Sequence, residues 1–345
     1  MHISDFDYDL PEELIAQHPL PERDVSRMLV LNRAAGTLED CQFVSLPKYL
    51  HAGDCLVLNN TKVFPARLLG RRIPTGGRIE ILLLREIEPG KWQVLARPAR
   101  KLQVGSRVEF GRSEHTATVV EALDDGTRVI RFESSDHALK AIQEIGETPL
   151  PPYIRRDSGA VTEDRDRYQT IYAQETGAIA APTAGLHFTP HVLQELKEGG
   201  IQVTEITLHV GYGTFEPVRV DNVAEHRVLA ERFMISNEAV GVINNCRGAG
   251  GRVVVVGTTT TRALESSVSE SGNVLPAHGM AGITITPGYR FRVVDALLTN
   301  FHLPRSSLLL LVSAFAGRTL VLDAYRHAVH ERYRFYSYGD CMLIL

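Results

Sequence analysis

The chain has 345 residues, of which 44% are hydrophobic and 23% charged, and its formal net charge is −4. This length suits two domains rather than one ordinary core, and the negative balance excludes an overall basic field for nucleic acid, so a polyanion would have to meet a local patch. The cysteines are scattered without a C-x-x-C pair, and the sequence matches neither a signal peptide nor a bilayer span, so we expect a cytoplasmic protein.

Residues 1–62 are predicted to begin the larger domain. The apolar run MLVL at 28–31 predicts a buried strand, and a second strand over 55–58 leads into Asn59, Asn60 and Thr61. Side chains of these types bond either the backbone of a turn or a ligand, and both interpretations stay open for Asn60.

Residues 63–149 have a different sequence pattern, in which short runs of alternating apolar and polar residues are separated by turn residues such as Gly76-Gly77. Short strands with hairpin signals and no helical period predict a small antiparallel β-barrel. The segment is rich in arginine, and Arg71, Arg72 and Arg100 are our candidates for holding RNA phosphates on a basic barrel face. The alternative is that these arginines are ordinary solvated positions on outward-facing strands.

From residue 150 onwards strands and helices alternate. The proline-rich connector TPLPPYI is expected to leave Tyr153 exposed at its end. RVVVVG predicts a strand buried on both faces of a parallel sheet, and YRFRVV followed by ALLTNF predicts two further strands. The alternation predicts a three-layer α/β/α domain built from residues 1–62 and 150–345, with the antiparallel β-barrel inserted between them.

The stretch GAIAAPTAGLHFT at 177–189 combines very small residues with His187. Small residues let a backbone approach a ligand or another backbone closely, and the proline and glycine in this stretch forbid a continuous helix or central strand. Two interpretations remain open. The stretch forms either the floor of a pocket or a tight crossing where two secondary-structure elements pack closely.

Several further loops follow predicted strands, where α/β sheets place their ligands. HVGYGTFEPV at 209–218 offers a glycine pair and Glu216, and GTTTTR at 257–262 offers hydroxyls at the start of a helix, which can hold a carboxylate or phosphate. TNFHLPR at 299–305 offers Asn300 and His302, and YSYGD at 336–340 ends with Asp340. A nucleotide-binding GxGxxG, a P-loop, HExxH and GxSxG are all absent from the sequence.

Eight motifs of the chain are long and specific, and they are LPPYI, YQTIYA, GAIAAPTAGLHFT, TLHVGYGTFEPV, GTTTTRALES, DALLTNFHLP, LLVSAFAG and YRFYSYGD. Together they resemble the S-adenosylmethionine:tRNA ribosyltransferase-isomerase family of queuosine biosynthesis. The resemblance extends from DFDYDLP near the start to YGD near the end, and the sequence departs from the family at Tyr212 and Cys341, where alanine is familiar.

The resemblance implies an unusual reaction. The ribosyl part of S-adenosylmethionine is transferred to 7-aminomethyl-7-deazaguanine at the wobble position of a tRNA and is isomerised to an epoxycyclopentanediol, which gives epoxyqueuosine, while adenine and methionine leave. It also implies an α/β domain with an inserted β-barrel. S-adenosylmethionine is then a ribosyl donor, tRNA is the partner, and we expect no metal, no membrane contact and a monomer.

Roles follow from this chemistry as hypotheses. A base must take a C5′ proton that the sulfonium acidifies, and His187, His209 and Glu216 are the candidates. His302 or Asp340 would protonate the departing adenine. The methionine carboxylate would bind the 258–260 hydroxyls and the fork of Arg262. The full set of substrate-binding candidates is Thr183, Gly185, Gly211, Gly213, Thr258, Thr259, Thr260, Arg262, Asn300, Asn60 and Tyr153.

Other functions remain open at this point. A tRNA methyltransferase or a nucleoside-cleaving enzyme would use the same cofactor, and a non-catalytic RNA-binding protein would bind tRNA without turnover. Aromatic side chains such as Tyr153 and Tyr212 would stack on an extruded base in the enzyme, or simply pack in the core.

Overall fold

The computed structural model of this protein describes residues 1–111, 115–156, 162–215 and 218–345, without the side chains at 162, 214 and 215. In chain order, the strands of the described residues are β1 (Arg27–Asn32), β2 (Thr37–Gln42), β3 (Cys55–Asn59), β4 (Thr61–Val63), β5 (Arg67–Ile73), β6 (Arg78–Glu88), β7 (Lys91–Arg97), β8 (Arg107–Phe110), β9 (His115–Ala122), β10 (Arg128–Phe132), β11 (Glu175–Ala178), β12 (Gln202–Leu208), β13 (Glu231–Ile235), β14 (Val253–Val256), β15 (Ala277–Ala281), β16 (Ala296–Asn300) and β17 (Cys341–Ile344). The α-helices of the same residues are α1 (Ser135–Ile145), α2 (Thr162–Arg167), α3 (Pro190–Glu198), α4 (Asn237–Gly248), α5 (Thr258–Glu265), α6 (Ser307–Ala316) and α7 (Arg318–His330).

A mixed sheet forms the centre of the larger domain, with nine strands among the described residues in the order β15-β13-β12-β3-β14-β16-β17-β1-β2. The four neighbours β12, β3, β14 and β16 run parallel, so their carboxyl ends meet at one edge. The apolar run of β14 is buried throughout, as expected for a strand that is covered on both faces. We call the meeting point of these strand ends the carboxyl edge.

Helices cover both faces of the sheet. On one face, side chains from α4, α5, α6 and α7 pack against residues such as Val57, Val255 and Leu297. On the other face, α3 and the 3₁₀ helix Phe43–Tyr49 pack against Leu56 and the alternate residues of the same strands. The predicted three-layer α/β/α architecture is therefore confirmed.

The inserted unit is a closed antiparallel barrel in the order β10-β7-β6-β5-β8-β9, closed by the pairing of β9 with β10. Its strands alternate buried and outward residues, so side chains such as Leu68, Val94 and Phe110 fill the interior. The barrel lies in sequence between β4 and β11, which pair in parallel in a separate two-stranded sheet. This arrangement confirms the predicted small antiparallel barrel inserted into an α/β fold.

One predicted strand is wrong. YRFRVV is not a strand, because its main-chain amides bond a side chain instead of a neighbouring strand. The carboxylate of Glu265 accepts hydrogen bonds from the amides of Arg292, Val293 and Val294. A buried carboxylate thus satisfies the backbone that a sheet ladder would otherwise satisfy.

Within the described ranges, no single helix is long and apolar enough to cross a membrane. The consecutive helices α6 and α7 reach that length and apolar composition only when they are taken together, and the chain bends by 116° between them.

Candidate functional site

Two adjoining cavities open at the carboxyl edge. The first, which we call the main cleft, is bordered by residues that follow β11, β12, β14 and β16. The second, which we call the side pocket, lies between the 211–213 turn, β13 and α5, and shares Thr259 and Leu308 with the main cleft. Their cavity volumes are about 70 and 100 Å³ respectively.

Asn300 organises the floor of the main cleft. Its side-chain oxygen accepts a hydrogen bond from Thr183 Oγ1 at 2.8 Å, and its amide nitrogen lies 3.3 Å from His187 Nε2. The same nitrogen donates to the carbonyls of Tyr336 and Asp340. Asn300 is itself buried, so this network fixes both the amide and the hydroxyl that face the cleft.

His187 lies behind Asn300 rather than on the cleft wall. It is buried and packs beside Phe43, with ring centroids 5.3 Å apart. Burial lowers the pKa of His187 to about 4, and the positive charges of Arg23 and Arg334 act in the same direction. The imidazole is therefore neutral, and its Nε2 accepts the hydrogen bond from the Asn300 amide.

His302 lines the main cleft directly. Its Nε2 is 2.8 Å from Thr299 Oγ1, and its main chain is held by the hydroxyls of Tyr8 and Tyr325. Burial lowers the pKa of His302 to about 3, so the ring is neutral at physiological pH. The structure thus presents a firmly oriented neutral imidazole to the cleft.

Helix α5 begins at the cleft with Gly257, whose φ of 92° is a conformation that favours glycine. Thr258 and Thr259 line the cleft, whereas Thr260 donates back to the carbonyl of Val256 at 2.6 Å. The first amides of a helix have no partner within the helix, and the helix dipole favours an anion there. This end of α5 is suited to hold a carboxylate.

The guanidinium group of Arg262 forms its hydrogen bonds within the protein. Its Nη1 donates to Glu231 Oε2 at 2.6 Å, and its other nitrogens donate to the carbonyls of Leu229, Ala281 and Ile283. The other oxygen of Glu231 accepts from the amide of Gly211 at 2.9 Å. The buried pair therefore positions the 211–213 turn, and the fork predicted to bind a substrate carboxylate is occupied.

Tyrosines form one wall of the main cleft. The Tyr153 and Tyr336 rings have centroids 4.0 Å apart, and the Tyr153 hydroxyl is 2.6 Å from Ser337 Oγ. The prediction that Tyr153 is exposed is wrong, because the ring is half-buried beside the cleft. This burial raises the pKa of Tyr153 well above its ordinary value. Tyr168 completes the wall and is fully buried. Sequence reasoning missed Tyr168 as a site residue, although it begins the YQTIYA motif.

Other candidates tie elements together. His209 Nδ1 is 2.8 Å from Thr61 Oγ1, and burial lowers the pKa of His209 to about 4. Asn60 bonds Glu205 and Thr207. The carboxylate of Asp340 accepts from the amides of Arg27 and Arg334, while burial raises its pKa. None of these three predicted residues borders the main cleft among the described residues.

The two remaining glycines differ. A Cβ on Gly185 would lie 2.1 Å from the Tyr172 hydroxyl, so this glycine permits close packing behind the cleft. Gly213 borders the side pocket, where a Cβ would lie 2.9 Å from Leu229. Glu216 lies outside the described residues.

The barrel arginines lie apart from the two cavities. Arg71 and Arg100 are exposed, and Arg72 donates to the carbonyl of Lys101 in the turn that carries Arg100. In the described ranges no group of three or more His, Cys, Asp or Glu side chains is placed to hold a metal ion.

Comparisons with known proteins agree with this geometry. Residues 3–344 match the sequence profile of a family described as queuosine biosynthesis protein. S-adenosylmethionine:tRNA ribosyltransferase-isomerases from Halothermothrix orenii and Moorella thermoacetica are 51% and 52% identical, each over 100% of both chains. The crystal structure of the S-adenosylmethionine tRNA ribosyltransferase from Thermotoga maritima is similar with a TM-score of 0.56 and 38% identity, and the match covers 99% of this chain and 100% of that one. The protein therefore belongs to the queuosine biosynthesis family, as its motifs predicted.

Proposed function

We propose that this protein is an S-adenosylmethionine:tRNA ribosyltransferase-isomerase. It transfers the ribosyl group of S-adenosylmethionine to 7-aminomethyl-7-deazaguanine at the tRNA wobble position and isomerises it, giving epoxyqueuosine-tRNA, adenine and methionine. The observation that carries the proposal is the main cleft, where a helix N-terminus, a neutral imidazole and an aromatic wall converge at the carboxyl edge. The family of the chain supplies the reaction class.

The methionine part of the substrate is proposed to bind at the start of α5. Thr258 and Thr259 line the cleft there, and the first amides of the helix favour a carboxylate. Arg262 supports this site indirectly, because its fork holds Glu231 and three carbonyls rather than a ligand.

Proton transfers require a group that reaches the reacting atoms. His302 is the imidazole that lines the main cleft in the described part of the chain, and its neutral ring carries one N–H donor and one nitrogen acceptor. We therefore assign it to the departing adenine, and assign His187 the role of orienting Asn300 and Thr183. Glu216 remains a candidate for the C5′ base.

The nucleobases are proposed to lie against the tyrosine wall. The Tyr153 and Tyr336 rings offer faces for stacking, and a single-stranded loop base can be extruded towards them. Because the proposed substrate is a tRNA, we propose that the protein acts in the cytoplasm.

The test is to incubate the purified protein with S-adenosylmethionine and tRNA that carries the aminomethyl precursor, and to quantify free adenine and methionine. We expect adenine release that depends on the modified tRNA. Adenine release without tRNA would indicate a nucleoside-cleaving enzyme, and S-adenosylhomocysteine would indicate a methyltransferase. RNA binding without turnover would leave only an RNA-binding protein.

A further inference from the structure

A third cavity lies on the other side of Ser337 from the main cleft. It is lined by Arg23 and Arg167, with Leu20, Leu186, His187 and Tyr338 around them. Ser337 borders both cavities, and the His187 ring that lines this one contacts the Asn300 amide that lines the other. We call this cavity the arginine pocket.

The two guanidinium groups line the arginine pocket, and the one carboxylate that pairs with them among the described residues is Glu163. Arg23 donates to the carbonyls of Leu186 and Asp166, and Arg167 donates to the carbonyls of Pro21 and Leu20. Carbonyl bonds fix the positions of the two groups but do not neutralise their charges. The Nε of Arg167 is buried and has no hydrogen-bond partner in the described part of the chain.

The nearby carboxylates do not neutralise this pair. Asp164 is buried and bound by Arg156 and by the Tyr338 hydroxyl. Glu163 lies 4.0 Å from Arg167 Nη1 and is 55% exposed, so the interaction is weak. Glu22 lies at the exposed rim of the pocket.

Two positive charges held close together in a partly buried cavity favour a bound anion. Burial lowers the pKa of Arg23, and the charge of Arg167 lowers it further, which shows that the two cations repel each other. A phosphate would relieve this repulsion, because guanidinium groups bind phosphate oxygens in a bidentate manner.

We propose that the arginine pocket binds a backbone phosphate of the RNA substrate, next to the nucleotide that enters the main cleft. The inference rests on the proposed function, because that function brings an RNA strand to the cleft. The phosphate contact fixes the register of the strand, so the modified base is aligned without any reading of neighbouring bases.

The test uses an anticodon stem-loop that carries the precursor base, in versions with one neutral methylphosphonate linkage at each position around that base. We expect one linkage next to the modified nucleotide to weaken binding to the wild-type protein by about tenfold. In the variant Arg23→Gln/Arg167→Gln the same linkage has no further effect, and the slope of log affinity against log salt falls by about 0.7. Arg165→Gln, exposed on the helix of Arg167 and outside the pocket, is the control for a single charge lost nearby and keeps the wild-type slope.

Several outcomes would overturn the proposal. One is an unchanged affinity and salt slope in the double glutamine variant, and another is an equal loss in the Arg165 control. If the double variant does not fold, the linkage scan on the wild-type protein still decides. The proposal is contradicted if none of the neutral linkages beside the modified base weakens binding. Thermal stabilisation by inorganic phosphate without any linkage effect would identify a free-phosphate site instead.

Adenine release by the wild-type protein is measured in parallel with the stem-loop that carries the precursor base and only natural phosphate linkages. Its absence would contradict the proposed function, whereas turnover with no linkage effect would contradict only the phosphate site. The variant Arg23→Lys/Arg167→Lys retains both charges, and we expect it to restore most of the salt slope.

Discussion

The carboxyl edge and the inserted barrel treat their polar groups in opposite ways. At the carboxyl edge, Asn300 and His302 are buried and each is held by hydrogen bonds. On the barrel, Arg67 binds Glu80 and Glu147 with a third of its side chain exposed, and Arg71 is exposed. Preorganised buried groups are suited to chemistry, whereas solvated charges contribute binding that depends on salt.

The largest contrast is expected in turnover. His302→Gln removes the imidazole from the main cleft, and we expect the rate of adenine release to fall by about 10²–10⁴-fold, which is the usual contribution of a proton-transfer group. His115→Gln is the matched control, because His115 is also buried but lies in the barrel beside Glu144. Equal losses in the two variants, measured by single-turnover kinetics, would remove the distinction between the regions.

Stability should show the same contrast. Arg262→Leu removes the guanidinium that pairs with the buried carboxylate of Glu231, which costs about 3–5 kcal/mol in the free energy of unfolding. Arg67→Leu breaks ion pairs that are a third exposed, and the expected cost is about 0–1 kcal/mol. Chemical denaturation measures both, and similar costs would show that burial of the Arg262 pair has no special weight.

Two buried histidines and the half-buried His209 make stability depend on pH. Burial lowers the pKa of His187 and His209 to about 4 and of His302 to about 3, below the value of about 6.5 in the unfolded chain. Between these values the unfolded state binds more protons, so stability is fully present above pH 6.5 and is lost as the pH falls towards 4. We expect the melting temperature to fall over this window, with a shallower fall in His209→Gln. His330→Gln, at an exposed position, should keep the wild-type profile.

The smallest effect is expected from the barrel surface. Reversing Arg71, Arg72 and Arg100 to glutamate should weaken tRNA binding by about tenfold and reduce its salt dependence, while S-adenosylmethionine binding is unchanged. Unchanged tRNA affinity across salt concentrations would refute an RNA-binding role for this face. The control replaces Arg290, Arg318 and Arg326, which are exposed outside the barrel, with glutamate, so the net charge changes by the same amount.

Periodicity and turn residues sufficed to predict both domains. The alternating runs of β5–β10 and the continuous apolar run of β14 carry distinct patterns, because barrel strands have one solvated face and the central strand has none. The strand predicted for YRFRVV is absent because the carboxylate of Glu265, which is distant in sequence, binds its main-chain amides. No local pattern reports such a partner.

Loop positions predicted which residues border the main cleft, whereas residue types did not predict the contacts that each side chain makes. Asn300, His302 and Thr183 border the main cleft, as expected for residues after parallel strands. The occupied fork of Arg262 could not be foreseen, because its partner Glu231 lies on the distant strand β13 and its other partners are main-chain carbonyls.

The most direct test of the reaction at the carboxyl edge follows the ribose itself. S-adenosylmethionine labelled with ¹³C in the ribose is incubated with the protein and precursor-bearing tRNA, and the digested tRNA is analysed by mass spectrometry. The account predicts ribose label in the modified wobble nucleoside, with equal amounts of adenine and methionine released. Unlabelled tRNA, or label found only in S-adenosylhomocysteine, would contradict it.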